Sequence, residues 1–187
     1  MNQPDTIAKL KKGDTTAFAD IVDECQGMVF NTALSIVQNQ EDAEDITQEV
    51  FVKLYESSAL FREESKLSTW LYRVTINKSL DHEKNKSRQK RGGFIKPFLL
   101  GSQDDEPVHF EHPGALAENK ERAKMLFKAL KKLPDSQKVA FILHKIEGRS
   151  YAEVAEILNS TVTATESLMA RAKNNLRKIL KTWYEQN

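Results

Sequence analysis

Apolar side chains recur along most of this chain at intervals of three and four residues and almost nowhere in strict alternation. Phe18, Ile21, Val22, Cys25, Val29, Ala33, Ile36 and Val37 fall on one face of a helix. They predict a helix over 15–38, ended by Gln38-Asn39-Gln40. A second stripe of Ala43, Ile46, Val50 and Leu54 predicts a helix over about 41–55. The polar stretch Ser57 to Lys66 follows. Ser68-Thr69 can cap a third helix over about 69–88, with Leu71, Val74, Ile76 and Leu80 on its apolar side. Between 89 and 114 the period fails, and Gly92-Gly93, Pro97, Gly101, Pro107, Pro113 and Gly114 crowd together. That mixture marks a linker. Periodicity returns over about 115–132 and stops at Leu133-Pro134. Three more helices follow, at about 136–146, 150–158 and 162–182. The expected fold is all-α. Two small helical domains, 1–90 and 115–187, are joined by a flexible 91–114 linker.

The last two helices and their short connection have the form of a helix-turn-helix. Ala155 is small where two helices must approach, Asn159 tolerates the left-handed backbone of the turn, and Thr161 can cap the following helix. Val162, Leu168, Ala172, Leu176 and Ile179 are expected to face inward. Thr163, Glu166, Ser167, Ala170, Arg171, Lys173, Asn174 and Arg177 occupy the opposite face. Glu166 and Ser167 are candidates for base edges, since a carboxylate can accept from cytosine N4. Arg171, Lys173 and Arg177 suit phosphates.

Charge sharpens the division. A formal net charge of +1 conceals 11 Lys/Arg against 15 Asp/Glu in residues 1–88, and 14 against 8 in residues 117–187. The acidic half suits a protein partner and the basic half a polyanion. The chain alone should therefore hold DNA poorly, because its front half repels phosphate. Composition excludes other classes. The four histidines, His82, His109, His112 and His144, lack metal-ligand spacing, so no metal is expected. Cys25 sits in an apolar stripe without an activating basic neighbour, and no phosphate-cradling glycine loop occurs. No catalytic residue and no cofactor are expected. No signal peptide or run of about 18 apolar residues is visible, which predicts a soluble, cytoplasmic chain without membrane insertion.

Three segments, in order, carry a resemblance. Asp42-Ala43-Glu44-Asp45-Ile46-Thr47-Gln48-Glu49-Val50-Phe51 resembles the polymerase-binding helix of sigma region 2. Phe61-Arg62-Glu63-Glu64-Ser65 with Ser68-Thr69-Trp70-Leu71 resembles the adjoining promoter-melting segment. Leu133-Pro134 through Val162-Thr163-Ala164-Thr165-Glu166-Ser167-Leu168 resembles sigma region 4. On these motifs, which span roughly 10–182, the chain is similar to the extracytoplasmic-function (ECF) sigma factors of the sigma-70 family. The resemblance implies a monomer that binds core RNA polymerase, at the β′ clamp helices and the β flap, and directs initiation from promoter DNA. It implies that Asp42, Asp45, Gln48, Glu49 and Lys53 dock on the clamp helices. It assigns −10 recognition to Arg62, Ser65, Trp70, Arg73, Asn77, Lys78, Lys84 and Arg88; Trp70 and Tyr72 sit among these basic residues, and aromatic and basic groups together suit single-stranded DNA. It assigns −35 recognition to Thr163, Glu166, Ser167, Arg171, Lys173 and Arg177. It implies an anti-sigma factor, and a linker whose Asp104-Asp105-Glu106 imitates nucleic acid near the RNA exit channel. Region 4 usually has Gly and an apolar residue at the turn and Val at position 165. Asn159, Ser160 and Thr165 depart from that pattern, which implies a looser recognition helix.

Two rival classes remain on the residues alone. A dimeric helix-turn-helix regulator would not need the 61–72 segment or an acidic docking helix. A helical scaffold would not need the basic C-terminal strip.

Overall fold

A computed structural model describes residues 3–57, 66–92 and 120–186. Its elements are α1 (Gln3–Lys11), α2 (Thr15–Val37), α3 (Gln40–Ser57), α4 (Leu67–Gly92), α5 (Lys120–Lys131), α6 (Asp135–Phe141), α7 (Tyr151–Ile157) and α8 (Val162–Gln186). A π-helical segment, Ile142–Ile146, continues α6. Every described element is helical. None of the described helices is long and apolar enough to cross a membrane.

Local chemistry sets most of the ends. Gly13 turns with φ +79°, and Asp14 Oδ1 then accepts the Thr16 and Ala17 amides at 2.9 and 3.2 Å, starting α2. Gln38 closes α2 in the left-handed region, φ +55°, with its N–H on Leu34 O at 2.8 Å. A non-glycine residue there costs roughly 1–2 kcal/mol. The buried side chain of Gln38 offsets that cost by donating to Phe127 O at 2.8 Å. Asn39 Oδ1 accepts the Asp42 amide at 2.9 Å and caps α3.

Helices α2, α3 and α4 pack around Ile21, Val29, Ala33, Ile36, Ala43, Ile46, Val50, Leu54 and Leu71. Thr32, Thr75 and Ser79 are fully buried, and each hydroxyl bonds the carbonyl four residues back at 2.8 Å. These hydroxyls satisfy themselves locally and leave slim surfaces for close helix approach. The C-terminal helices enclose Leu130, Val139, Leu143, Val154, Met169 and Ala172. Asn175 ties α8 to Gln137 of α6 at 2.9 Å.

Three expectations need correction, and one helix was not foreseen. Helix α1 had no apolar stripe strong enough to announce it, although Ile7 and Leu10 are buried. The helix expected over 136–146 is α-helical only to Phe141. Val162 is 43% exposed, and the inward position of that turn belongs to Thr165. Tyr72, read with Trp70 as a surface aromatic, is buried and turns its hydroxyl to Glu147. The 93–119 stretch, holding the expected linker and Asp104-Asp105-Glu106, lies outside the described residues.

Candidate nucleic-acid and polymerase interfaces

The first candidate surface is the outer face of α3. Asp45, Gln48, Glu49 and Lys53 are all exposed there. Asp42 differs. Lys86 Nζ reaches its Oδ2 at 2.7 Å, and His82 Nε2 lies 3.2 Å from its Oδ1, too far off line to count as a hydrogen bond. Burial disfavours the Asp42 carboxylate, but the hydrogen bond and charge of Lys86, with the His82 imidazole beside it, outweigh that and hold its pKa below the usual value. Asp42 therefore fastens α3 to α4. Glu49 makes a bond to Lys78 at 2.6 Å but stays 62% exposed.

The same face carries two apolar residues that sequence reasoning passed over. Val52 and Tyr55 are 56% and 52% exposed. They follow Gln48 by four and seven residues, so the polar face was visibly interrupted by apolar positions. Tyr55 meets Phe18 edge-on at 5.3 Å. With Val22, Thr47 and Phe51 they line a groove of about 750 Å³ between α2 and α3. An acidic helix beside an apolar groove suits a partner helix with both basic and apolar positions.

The second surface is α4. Asn77, Lys84 and Arg88 are exposed, and Lys84 lies 3.8 Å from Asp81. Trp70 is partly buried against the core, which leaves part of its ring outward. Lys78 is engaged with Glu49. Arg73 is engaged with α7: Nη2 donates to Glu156 O at 2.6 Å and Nε to Ile157 O at 3.1 Å. Arg62 and Ser65 fall outside the described residues. Beside α4, a cleft of about 410 Å³ is lined by Cys25, Met28, Leu67, Ser68, Tyr72, Glu147 and Arg149 among others. Burial and the Glu147 charge push the Tyr72 phenol up to about 12, and burial raises the Glu147 carboxyl despite Arg149.

The third surface is α8. Ser150 starts α7 with a reciprocal capping box, its Oγ on the Glu153 amide and the Glu153 carboxylate on the Ser150 amide. The Ser150 amide and hydroxyl, both donating to its carboxylate at 2.8 Å, hold Glu153 below the usual carboxylate range. After α7, Asn159 is left-handed at φ +50°, and the Ser160 amide reaches back to Ala155 O at 2.9 Å. That is a Schellman ending, in which Asn takes the place glycine usually holds. Thr161 Oγ1 caps α8 through the Ala164 amide at 3.1 Å. Thr165 is fully buried, and its hydroxyl sits 3.1 Å from Thr161 O and 3.0 Å from Ser160 Oγ. The polar departures at 160 and 165 thus pair with each other and brace the turn. On the outer side Thr163, Glu166, Ser167, Arg171, Lys173 and Arg177 are all exposed. Arg171 and Arg177 are occupied by within-helix bonds of 3.2 and 3.3 Å. Such exposed bonds exchange readily for phosphate. Among the described residues no cluster of ligating side chains could hold a metal.

Residues 21–89 match the family model for sigma-70 region 2, and residues 123–176 match that for sigma-70 region 4. A Bacillus subtilis relative, the ECF RNA polymerase sigma factor SigW, is 30% identical over 94% of this chain and 95% of its own. This chain belongs to the ECF sigma factors. The ECF RNA polymerase sigma-E factor of Escherichia coli K12 is 28% identical over 89% of this chain and 88% of its own. Among solved structures, CnrH in complex with the cytosolic domain of CnrY superposes with a TM-score of 0.68 at 22% identity, covering 96% of this chain and 97% of that one. The sigma factor RpoE in complex with the anti-sigma factor NepR from Bartonella quintana gives 0.63 at 24%, covering 88% and 96%. Both share the fold.

Proposed function

We propose that this sigma factor docks on the β′ clamp helices through the outer face of α3. Asp45, Gln48, Glu49 and Lys53 supply polar contacts, and Val52, Tyr55 and the α2–α3 groove supply apolar burial. Charge there sets encounter rate and orientation, while the groove supplies area. Asp42 acts behind that face, by fixing α3 on α4. Region 4 meets the β flap and presents α8 to the −35 duplex. Glu166 and Ser167 face base edges, and Thr163, Arg171, Lys173 and Arg177 steady the backbone. Trp70, Arg73, Asn77, Lys78, Lys84 and Arg88, with Arg62 and Ser65, serve the −10 strand. Stacking and phosphate pairing there hold bases extruded at a cost of a few kcal/mol.

No reaction is catalysed, so the chain lends specificity to an enzyme as a cytoplasmic monomer. RpoE of the similar structure is bound to an anti-sigma factor, which supports an inhibitor of that kind for this chain too. The carrying observation is the pairing of an exposed acidic helix beside an apolar groove with an exposed basic recognition helix in one chain. Co-purification with core polymerase followed by run-off transcription on genomic fragments tests it. Discrete promoter-dependent transcripts are expected. A chain that binds operators as a dimer and leaves polymerase unbound would refute it.

A further inference from the structure

Among the described residues three large apolar side chains stand exposed: Val52, Tyr55 and Val162. The first two belong to the groove beside α3. Val162, 43% exposed in the first turn of α8, belongs neither to that groove nor to the core. Folding does not account for it. Thr161 caps the helix, and the fully buried Thr165 fills the inward place of that turn. Valine is a middling helix former, and an acidic side chain would suit a first turn better. The neighbours are informative too. Thr163, Ala164, Glu166 and Ser167 are exposed beside it, and the first cation of α8 is Arg171. The first two turns therefore offer methyl groups, hydroxyls and one carboxylate, with no cation to pair with phosphate.

We propose that Val162 reads the 5-methyl group of a thymine in the −35 duplex. This rests on the reading of α8 as the helix that enters that major groove. There adenine, guanine and cytosine present only donors and acceptors, while thymine adds a methyl group beside its O4 acceptor. A valine side chain can bond none of the polar edges, and pressed against them it strips their water without replacing it. Against the thymine methyl it buries apolar surface on both sides. The side chain selects thymine twice, by gain at that base and by loss at the others. Base pairs stack about 3.4 Å apart, so one valine meets one pair or two adjacent ones. Glu166 stands one turn further on, with its Cβ about 5–6 Å away at the i,i+4 spacing, and meets a pair one or two steps along. Sequence is thus read by the first two turns, and charge is supplied by Arg171, Lys173 and Arg177. The contribution of Val162 should not change with salt.

The test uses holoenzyme, assembled from core polymerase and the full chain, on a promoter obtained by run-off transcription. Fluorescence anisotropy at low temperature reads closed-complex affinity. Each thymine of both −35 strands is replaced in turn by deoxyuridine, which removes the methyl group and nothing else. Wild type is expected to lose about fourfold at one thymine or two neighbours, the worth of one methyl group withdrawn from water. Val162→Ala should bind the thymine duplex about fourfold more weakly and should bind thymine and deoxyuridine duplexes alike, with both ratios unchanged at a second salt concentration. Val162→Ile should keep the discrimination. A Val162→Ala enzyme that is weaker yet still separates thymine from deoxyuridine by the wild-type factor leaves the valine a structural role only and overturns the proposal. A wild type indifferent to every deoxyuridine also overturns it, while base-pair substitutions in the same element that still weaken binding keep the −35 reading of α8. Base-pair substitutions without effect there overturn that reading and the proposal with it.

Discussion

Reversing Asp45 and Glu49 to Lys isolates the electrostatic part of polymerase docking. Both side chains are exposed on α3, and Glu49 makes a bond of 2.6 Å to Lys78. Losing that exposed pair costs the fold about 0.2–1 kcal/mol. Asp45 stands beyond the first turn of α3, where the helix dipole has little hold on it. The fold should survive. Across the interface, an exposed charge about 4 Å from an opposite one gains about 1 kcal/mol at the dielectric of water. Reversal turns that gain into an equal repulsion, so each substitution swings about 2 kcal/mol and the pair about 4. At 1.4 kcal/mol per tenfold, affinity should fall on the order of a thousandfold. The neutral pair Asp45→Asn with Glu49→Gln removes attraction only and should cost about 2 kcal/mol, or roughly thirtyfold. Anisotropy titration of labelled protein with core polymerase measures both. The wild-type affinity should weaken with salt, and the neutral variant should show a flatter dependence. An affinity for the reversed variant within threefold of wild type, at unchanged circular dichroism, refutes docking through this face.

The other predictions can be checked with purified protein or holoenzyme. Burial raises the Glu147 pKa above its ordinary 4.5, so its contribution to stability is full below that pH and is lost as pH rises through the folded value. Glu147→Gln should therefore raise the melting temperature at pH 7 and lose that advantage below about pH 4; a pH-independent difference would contradict it. The Asp42 pKa is lowered from 3.8, so its contribution is present above that pH and lost as pH falls through the folded value. Asp42→Asn should then destabilise at pH 7, by about 1 kcal/mol or less, and converge with wild type in acid, as read by urea titration. Thr165→Val keeps the buried shape. It leaves Thr161 O bonded to the Thr165 amide and Ser160 to water, so it should cost within about 1 kcal/mol, whereas Thr165→Ala opens a cavity and should cost more. Trp70→Ala should impair permanganate-detected strand opening by holoenzyme more than closed-complex binding; a drop in stability with normal opening would assign the ring to the core.

The helices of the front domain were legible because each buries a single stripe. Ile21, Val29, Ala33 and Ile36 on α2, and Ala43, Ile46, Val50 and Leu54 on α3, are all buried where a 3.6-residue period puts them. The left-handed Asn159 and the Thr161 cap were equally legible, since turn chemistry is local. Tyr72 was misjudged because a tyrosine on an amphipathic helix carries no mark of whether its ring faces water or another domain. Val162 was misjudged for a related reason: it opens α8, where few neighbouring turns exist to bury it. Val52 and Tyr55 had a signal, two apolar residues out of phase with their own stripe, that a search for acidic positions overlooked. The polar bonds between the front helices and the C-terminal helices had none. Gln38 and Phe127 are 89 residues apart, and Arg73 and Glu156 are 83 apart, and single polar bonds at such separations leave no periodic trace.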